Sequence, residues 1–444
     1  MATKEEVLER AKKDGIQFIQ LEFVDLNGMM KTVTIPVARL KETLEKGNWF
    51  DGSSIEGFTR ICESDMYLML DTDTYAVLPW ESHKTARIIC DVYTPDGKPF
   101  EGDPRYILKK VLKEAEELGY VYNVGPELEF FIFKRDADGK PIPVTHDKAG
   151  YFDYAPRDLA DDVRKDVTLI LTSLGMEVEM SHHEVAPGQH EINFSYGDAL
   201  TQADRCMTFK HAVKSIANKN GLYATFMPKP VFGENGSGMH VHQSFWDIKA
   251  KKNAFYDPSE PYKLSAIAKS FVAGQLAHVK AFCAITAPTV NSYKRLVPGY
   301  EAPVYICWAK INRSALIRVP RYSPGRESST RVELRCPDPS ANPYLAFAVM
   351  LKAGLDGIKK KMAPPTPVEE DVYEFDASKR REVGIDTLPG SLGEALDNLD
   401  KDAIIKDVLG AHAYSAYVKT KRMEWDKYRI QVTQWEIDTY FESI

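Results

Sequence analysis

The stretch T-P-D-G-K-P-F-E-G-D-P, residues 94–104, decides how this chain is divided. Proline, glycine and aspartate dominate it, and that mixture interrupts both helix and strand. Working upstream, residues 5–14 read as a short helix ending at Gly15. I-Q-F-I-Q-L-E-F-V and M-M-K-T-V-T-I then flank D-L-N-G, a hairpin signal in which Asn27 and Gly28 can take positive φ. Further strand-like runs cover Met66–Leu70, Ala76–Leu78 and Ala86–Val92. Residues 1–103 are therefore expected to form a small β-rich domain. Downstream, Asp103-Pro104 opens a helix as cap and first-turn proline. Its apolar face is Ile107, Leu108, Val111, Leu112, Ala115 and Leu118, and Gly119 stops it.

Helical patterns recur at about 158–174, 200–220, 264–285, 341–361 and 400–430, with strand-like segments between them. Tight turns such as Ala186-Pro187-Gly188-Gln189 favour antiparallel strands, so residues 104–444 read as one larger α+β domain and not a doubly wound sheet. The run A-P-P-T-P-V-E-E-D at 363–371 is an exposed loop, too short to link independent domains.

With 444 residues, 44% hydrophobic and 27% charged, the chain can bury a sizeable core. Its net charge is −7 and it has no basic stripe interleaved with aromatics, which argues against a nucleic-acid partner. Six scattered cysteines form no C-x-x-C pair, several sit in apolar runs, and they read as reduced core residues. No stretch of about 18 apolar residues occurs, and the N-terminus has no apolar leader-like run. The expectation is a soluble cytoplasmic protein that does not engage a membrane.

Charged residues then appear in strand-like segments at period two. G-P-E-L-E-F-F-I-F at 125–133 carries Glu127 and Glu129, and side chains two apart on a strand share a face, roughly 7 Å from each other. That spacing lets each carboxylate anchor its own ion in a pair about 4 Å apart. The alternative is a solvated acidic face, although the rest of the strand is apolar. S-H-H-E-V-A-P-G-Q-H-E-I at 181–192 sets Glu184 and Glu191 on either side of a turn, across a hairpin from each other. Glu179 upstream can reach the same cleft, while His182, His183 and His190 read equally as satisfied turn histidines. G-E-N-G-S-G-M-H-V-H-Q-S allows a tight loop at Gly233, Gly236 and Gly238. Behind it His240 and His242 share a face, one suited to a metal and the other to a nucleotide together with Ser244.

R-V-E-L-R puts Arg331, Glu333 and Arg335 on one face, an arrangement that also suits a plain ion pair. Arg313, Arg318 and Arg295 lie nearby in sequence, the last in a Gly/Pro-rich segment with Glu301 that is suited to be a lid. Arginine's planar fork matches carboxylate and phosphate oxygens. Five carboxylates and one imidazole select Mg²⁺ or Mn²⁺ over zinc, at least two ions per site. The chemistry implied is phosphoryl transfer from a nucleotide to an anionic acceptor.

At these residues the chain resembles the class I glutamine synthetases. The resemblance rests on F-D-G-S-S-I-E-G-F at 50–58, G-P-E-L-E-F-F at 125–131 and S-H-H-E-V-A-P-G-Q-H-E-I at 181–192. It extends to M-P-K-P and N-G-S-G-M-H around 227–240, N-S-Y-K-R-L-V-P-G-Y-E-A-P at 291–303 and D-P-S-A-N-P-Y-L-A at 338–346. It covers about residue 15 to the C-terminus. It implies an N-terminal β-grasp domain, a catalytic domain with a curved antiparallel sheet and flanking helices, and a dodecamer of two stacked six-membered rings with active sites between neighbouring subunits.

The resemblance assigns one metal to Glu129, Glu184 and Glu191 and the other to Glu127, His240 and Glu333. ATP contacts fall on Glu179, His242, Ser244, Arg313 and Arg318, and glutamate contacts on Asn235, Gly236, Arg295, Glu301 and Arg335. Asp51 from a neighbouring subunit, Glu301 and Arg313 are implied as catalytic, acting on glutamate, ammonium and ATP. The chain lacks the insertion of the adenylylated beta-type enzymes and so resembles the alpha type. In that type an arginine at the position of Arg60 mediates feedback by glutamine. Tyr373 lies where beta-type enzymes carry a modified tyrosine, but D-V-Y-E-F matches poorly and reads as unmodified. The segment around Arg326 is longer than in alpha-type relatives and leaves the nucleotide contacts there open. Regulatory protein partners are compatible with this activity, though no motif names one.

A related ligase joining glutamate to a polyamine shares the metal and ATP signatures but would alter the ammonium site, and Asp51 and Glu301 are both present. A non-catalytic relative would have lost ligands, and a two-metal phosphohydrolase has no need of a glutamate-binding arginine set.

Overall fold

The computed structural model describes residues 2–53, 55, 65–310 and 312–444. Arg60 and Cys62 lie outside the described residues.

Near the N-terminus a sheet runs in the order Met30–Pro36, Phe18–Val24, Thr85–Tyr93, Asp65–Leu70, Asn48–Asp51. Phe18–Val24 and Thr85–Tyr93 are parallel and the other neighbours antiparallel, as in a β-grasp. Ile19, Leu21, Ile88, Val92 and Leu68 form a core separate from that of the rest of the chain. The first hairpin closes where D-L-N-G indicates, but only Gly28 is left-handed, at φ +80°. The Gly28 N–H donates to the Asp25 carbonyl at 3.0 Å, which makes Asn27 a central turn residue and leaves the left-handed step to the glycine after it. Asn48–Asp51 and the helix Leu40–Lys46 escape the pattern reading, because each is too short to display a period.

The larger sheet runs Asp386–Thr387, Tyr305–Ala309, Ala315–Arg318, Val332–Leu334, Met239–Asp247, Tyr120–Arg135, Gln189–Phe194, Val178–His183. All these neighbours are antiparallel except Tyr305–Ala309 with Ala315–Arg318. The 16-residue strand Tyr120–Arg135 is its spine. Up to Leu128 it pairs with Met239–Asp247, and from Glu129 it pairs with Gln189–Phe194. Met239–Asp247 and Gln189–Phe194 lie on opposite sides of it, so this strand joins the two halves of the curled sheet.

Alternation along that strand divides its two faces. Tyr122, Val124, Leu128, Phe130 and Ile132 enter the main core against the helices. Glu127 and Glu129 face the other way, followed by Phe131 and Phe133 in a small cluster with Ala186. The helices Pro104–Glu117, Asp161–Ser173, Ala199–Lys219, Ala266–Thr286 and Pro343–Lys359 lie near their expected positions. The expected helix at 400–430 is divided. Leu392–Lys401 ends at Asp402, which caps Ala403–Arg429, and Gly410 within the latter is non-helical at φ 70°, ψ 170°. Among the described residues no helix is long and apolar enough to cross a membrane.

Candidate active site

Three adjoining recesses share residues and form one cleft on the open face of the curled sheet. The largest, about 370 Å³, is lined by Glu127, Glu129, Glu184, Glu191 and Glu333 together with His240. The pairing register explains why residues so distant in sequence meet. His240 lies opposite Glu127, His242 opposite Glu333, and Glu191 opposite Glu129.

Two sets of donors stand out in this recess. Donor atoms of Glu127, His240 and Glu333 all lie within 4.8 Å of one another, as do those of His182, Glu184 and Glu191. The first set is the one expected. The second has His182 in the place expected for Glu129, because Glu191 pairs with His182 across the hairpin while Glu184 pairs further along, with Gln189. Glu184 and Glu191 therefore share a face diagonally instead of standing directly opposite. Glu129 lines the same recess, but its Oε2 accepts from the Gly238 N–H at 3.0 Å and from Gln189 Nε2 at 2.9 Å. His182 was legible as the period-two neighbour of Glu184.

The electrostatics of the cleft are unbalanced. Burial, then the charge of Glu184, pushes Glu129 up to about 8. Burial and the charges of Glu129, Glu127 and Glu184 push Glu191 well above the carboxylate range. Burial also acts on Glu127 and Glu333, but the neighbouring histidines, with Arg318 and Arg335 beside Glu333, outweigh it and hold both carboxyls down. Crowded, desolvated carboxylates with oxygen-rich surroundings fit divalent cations, which would offset the repulsion that otherwise drives protons onto them.

A second recess is lined by Asn235, Gly236, Arg295, Glu301 and Arg335. Here the loop must approach closely. A Cβ on Gly236 would meet the Pro228 carbonyl at 2.5 Å, and one on Gly238 would meet Arg295 Nη2 at 2.7 Å. Arg295 is buried and donates to the carbonyls of Cys336 at 2.9 Å and Arg335 at 3.1 Å. Arg335 is 8% exposed; its Nε faces Glu333 without a hydrogen bond, and its Nη1 is buried with no partner. A buried guanidinium with an unused donor calls for an anionic group.

The third recess, about 290 Å³, is lined by Glu179, His242 and Ser244 beside Phe194, Tyr196 and Arg331. His242 is fixed between Glu127 Oε1 at 3.0 Å and Arg331 Nε at 3.2 Å. Arg318, expected with this group, instead lines the carboxylate recess with Arg313, where it pairs with Glu333. The ion-pair reading of R-V-E-L-R thus holds, with Arg335 Nε 3.4 Å from Glu333. In the segment that left the nucleotide contacts open, Ser328 and Ser329 line this recess, while Arg326 is exposed outside it. Asn253 holds them there by donating to the Ser328 and Thr330 carbonyls.

Asp51 is exposed at the end of its strand and lines none of the three recesses. Among the residues missed in the sequence, Tyr151 and Phe152 line the carboxylate recess, stacked with ring centroids 4.0 Å apart beside His182. They lie in a loop, where no periodicity marks them.

Residues 101–440 match the family model for the glutamine synthetase catalytic domain, and residues 15–95 match that for the glutamine synthetase beta-grasp domain. The glutamine synthetase of Methanosarcina mazei is 53% identical over 444 residues, covering 100% of this chain and 98% of that one. Among solved structures, a complex of GmaS with ADP superposes with a TM-score of 0.89 at 34% identity, covering 98% of this chain and 99% of the other. The Plasmodium falciparum glutamine synthetase gives 0.89 at 28% identity, covering 99% of each chain. With both family models matched and full-length relatives above half identity, this chain belongs to the glutamine synthetase family, the glutamate–ammonia ligases.

Proposed function

We propose that this cleft ligates ammonia to the γ-carboxylate of glutamate at the expense of ATP, through γ-glutamyl phosphate, giving glutamine, ADP and phosphate in nitrogen assimilation. One observation carries the reading: a buried arginine with an unused donor at Nη1, Arg335, shares a cleft with five crowded glutamates. The arginine suits an anionic amino acid, and the carboxylates suit cations. Domain limits of 1–103 and 104–444 are part of the proposal, supported by a core confined to residues before 104, while Val24, Leu26, Leu78 and Trp80 pack into the larger one.

In this reading Glu129, Glu184 and Glu191 hold one divalent cation, and Glu127, His240 and Glu333 hold the other. Oxygen donors with one imidazole favour Mg²⁺ or Mn²⁺. When bound, such ions offset charge on the phosphoryl group being transferred. Glu179, His242 and Ser244 bind ATP. Asn235, Gly236, Arg295, Glu301 and Arg335 hold glutamate. Its γ-carboxylate oxygen attacks the terminal phosphorus, an O–P bond forms, and the bond to ADP breaks. Arg313 and Arg318 neutralise the oxygens in flight.

Asp51 of a neighbouring subunit binds ammonium and accepts its proton, because ammonium itself has no lone pair to attack with. The freed ammonia attacks the acyl carbon and phosphate leaves. Glu301 takes a proton from the adduct and keeps water away. The exposure of Asp51 in the single chain supports its use by a neighbour. Exposed Trp435, Phe441 and Ile444 at the C-terminus support docking between two rings of a dodecamer. Five buried, unpaired cysteines among the described residues support a reducing, cytoplasmic setting.

ADP release with glutamate, ATP and Mg²⁺ tests the reading. Ammonium is expected to drive it and to yield glutamine. Putrescine or ethanolamine in its place should not, and a preference for either amine would move the assignment to the polyamine class of ligase. Glutamine is proposed to inhibit through Arg60. Arg60→Ala should weaken that inhibition with little loss of activity, and unchanged inhibition curves would remove the idea.

A further inference from the structure

The segment carrying Glu301 needs holding. Glu301 has φ +57°, a left-handed conformation that side-chain-bearing residues seldom adopt unless their surroundings impose it. Its two neighbours supply the restraint. On one side the Tyr300 ring lies 3.7 Å from Lys229 Nζ. Lys229 is itself fixed by reciprocal bonds between its backbone and the Asn291 side-chain amide, and by donation from Nζ to the Glu234 carbonyl. On the other side the Tyr373 hydroxyl donates to the Ala302 carbonyl at 2.6 Å.

Tyr373 lines none of the recesses, yet the strip it belongs to reaches a second loop of the cleft. The Val372 N–H donates to Ser314 Oγ at 3.2 Å, and Asn312 Nδ2 donates to the carbonyls of Val368 and Glu370. Asn312 and Ser314 flank Arg313. One strip, residues 368–374, is thus fastened both to the segment bearing Glu301 and to the loop bearing Arg313. Burial lifts the Tyr373 phenol to about 12, so it remains a donor throughout the neutral range.

We infer that Tyr373 is a positioning residue: its bond to Ala302 latches the Glu301 segment over the acyl phosphate and ties that closure to the loop of Arg313. The inference rests on the glutamate–ammonia ligase reading above. When the latch opens early, water replaces ammonia. Its oxygen attacks the acyl carbon, the bond to the phosphate oxygen breaks, a proton is released, and glutamate and phosphate are returned. ATP is then consumed without glutamine.

Tyr373→Phe in the full-length protein tests this, since phenylalanine keeps the ring beside Tyr305 and removes only the donor. Two rates are compared with wild type: ADP release with glutamate and ammonium, and ADP release with glutamate alone. Loss of one hydrogen bond of ordinary strength should raise the ammonium-free rate about fivefold and lower the glutamine formed per ADP. If both rates fall together at constant glutamine per ADP, or if neither changes, Tyr373 is an ordinary packing residue and the latch is wrong. If wild type shows no ammonium-dependent ADP release, the ligase reading itself fails, independently of Tyr373.

Discussion

Glu129 and Glu191 are direct cross-strand partners on adjacent antiparallel strands, both buried, in the crowded face of the curled sheet. Like charges placed this way destabilise a sheet unless something offsets them. Burial raises the proton affinity of both, repulsion from Glu129 adds to it at Glu191, and the nearby Glu184 adds to it at both. Local stability has been given up at this point in a way that a pair of bound cations would recover.

Removing a single member of the set should therefore abolish turnover while sparing the fold. Glu129→Ala and Glu333→Ala are each expected to lower Mg²⁺-dependent glutamine formation by about 10²–10³-fold, in line with loss of a group that stabilises transferred charge. Assembly, followed by native mass, should be unchanged. Full activity in either variant would refute the metal assignment.

Arg335 bears on substrate affinity. Arg335→Lys retains charge but loses the planar fork, so the KM for glutamate should rise roughly tenfold to a hundredfold, the range of a lost charged hydrogen bond. Steady-state kinetics with varied glutamate reads this directly. A KM within twofold of wild type would show that its unused donor faces no substrate.

The glycines of the loop at 233–238 should differ in tolerance. An alanine at 236 collides with a backbone carbonyl, whereas one at 238 meets the ends of the Arg295 and His240 side chains, which can shift. Gly236→Ala is expected to cost about 1–3 kcal/mol of stability and most activity. Gly238→Ala should melt near wild type but bind glutamate more weakly. Thermal melts and glutamate titrations separate the two.

His278 joins three helices by donating to Asp402 at 2.6 Å and Asp356 at 3.0 Å, with Lys360 also on Asp356 at 2.8 Å. Burial opposes its charge, but the two carboxylates prevail and raise its proton affinity. Both carboxylates are lowered in turn. The imidazolium's contribution is complete below the ordinary histidine value and fades as pH climbs through the raised folded value. His278→Asn should therefore cost about 1–2 kcal/mol near pH 6 and less near pH 9. Equal losses at both pH values would show that the ring is neutral in the fold.

Much of the cleft was legible because strand period two is visible in the letters. Glu127 with Glu129, and His240 with His242, declare shared faces, and Gly236 and Gly238 declare close approach. Gly28 was legible as a turn and Asp103-Pro104 as a helix start, since both depend on local backbone chemistry. The strand Asn48–Asp51, the break at Asp402 and the aromatic pair Tyr151–Phe152 were not, because each is too short or too irregular to repeat.

Local order in the chain settled which residues share a face, where elements begin, and which donor types are on offer, for these follow from backbone geometry within a few residues. Pairing register across strands settled the remainder. It put His182 with Glu184 and Glu191 and moved Arg318 beside Glu333, while loop packing turned Glu129 toward Gly238 and brought the Tyr373 hydroxyl to Ala302. Apart from His182, which shares a hairpin with Glu184 and Glu191, those neighbours are distant along the chain, and only the curl of the sheet and the packing of the loops on it make them meet.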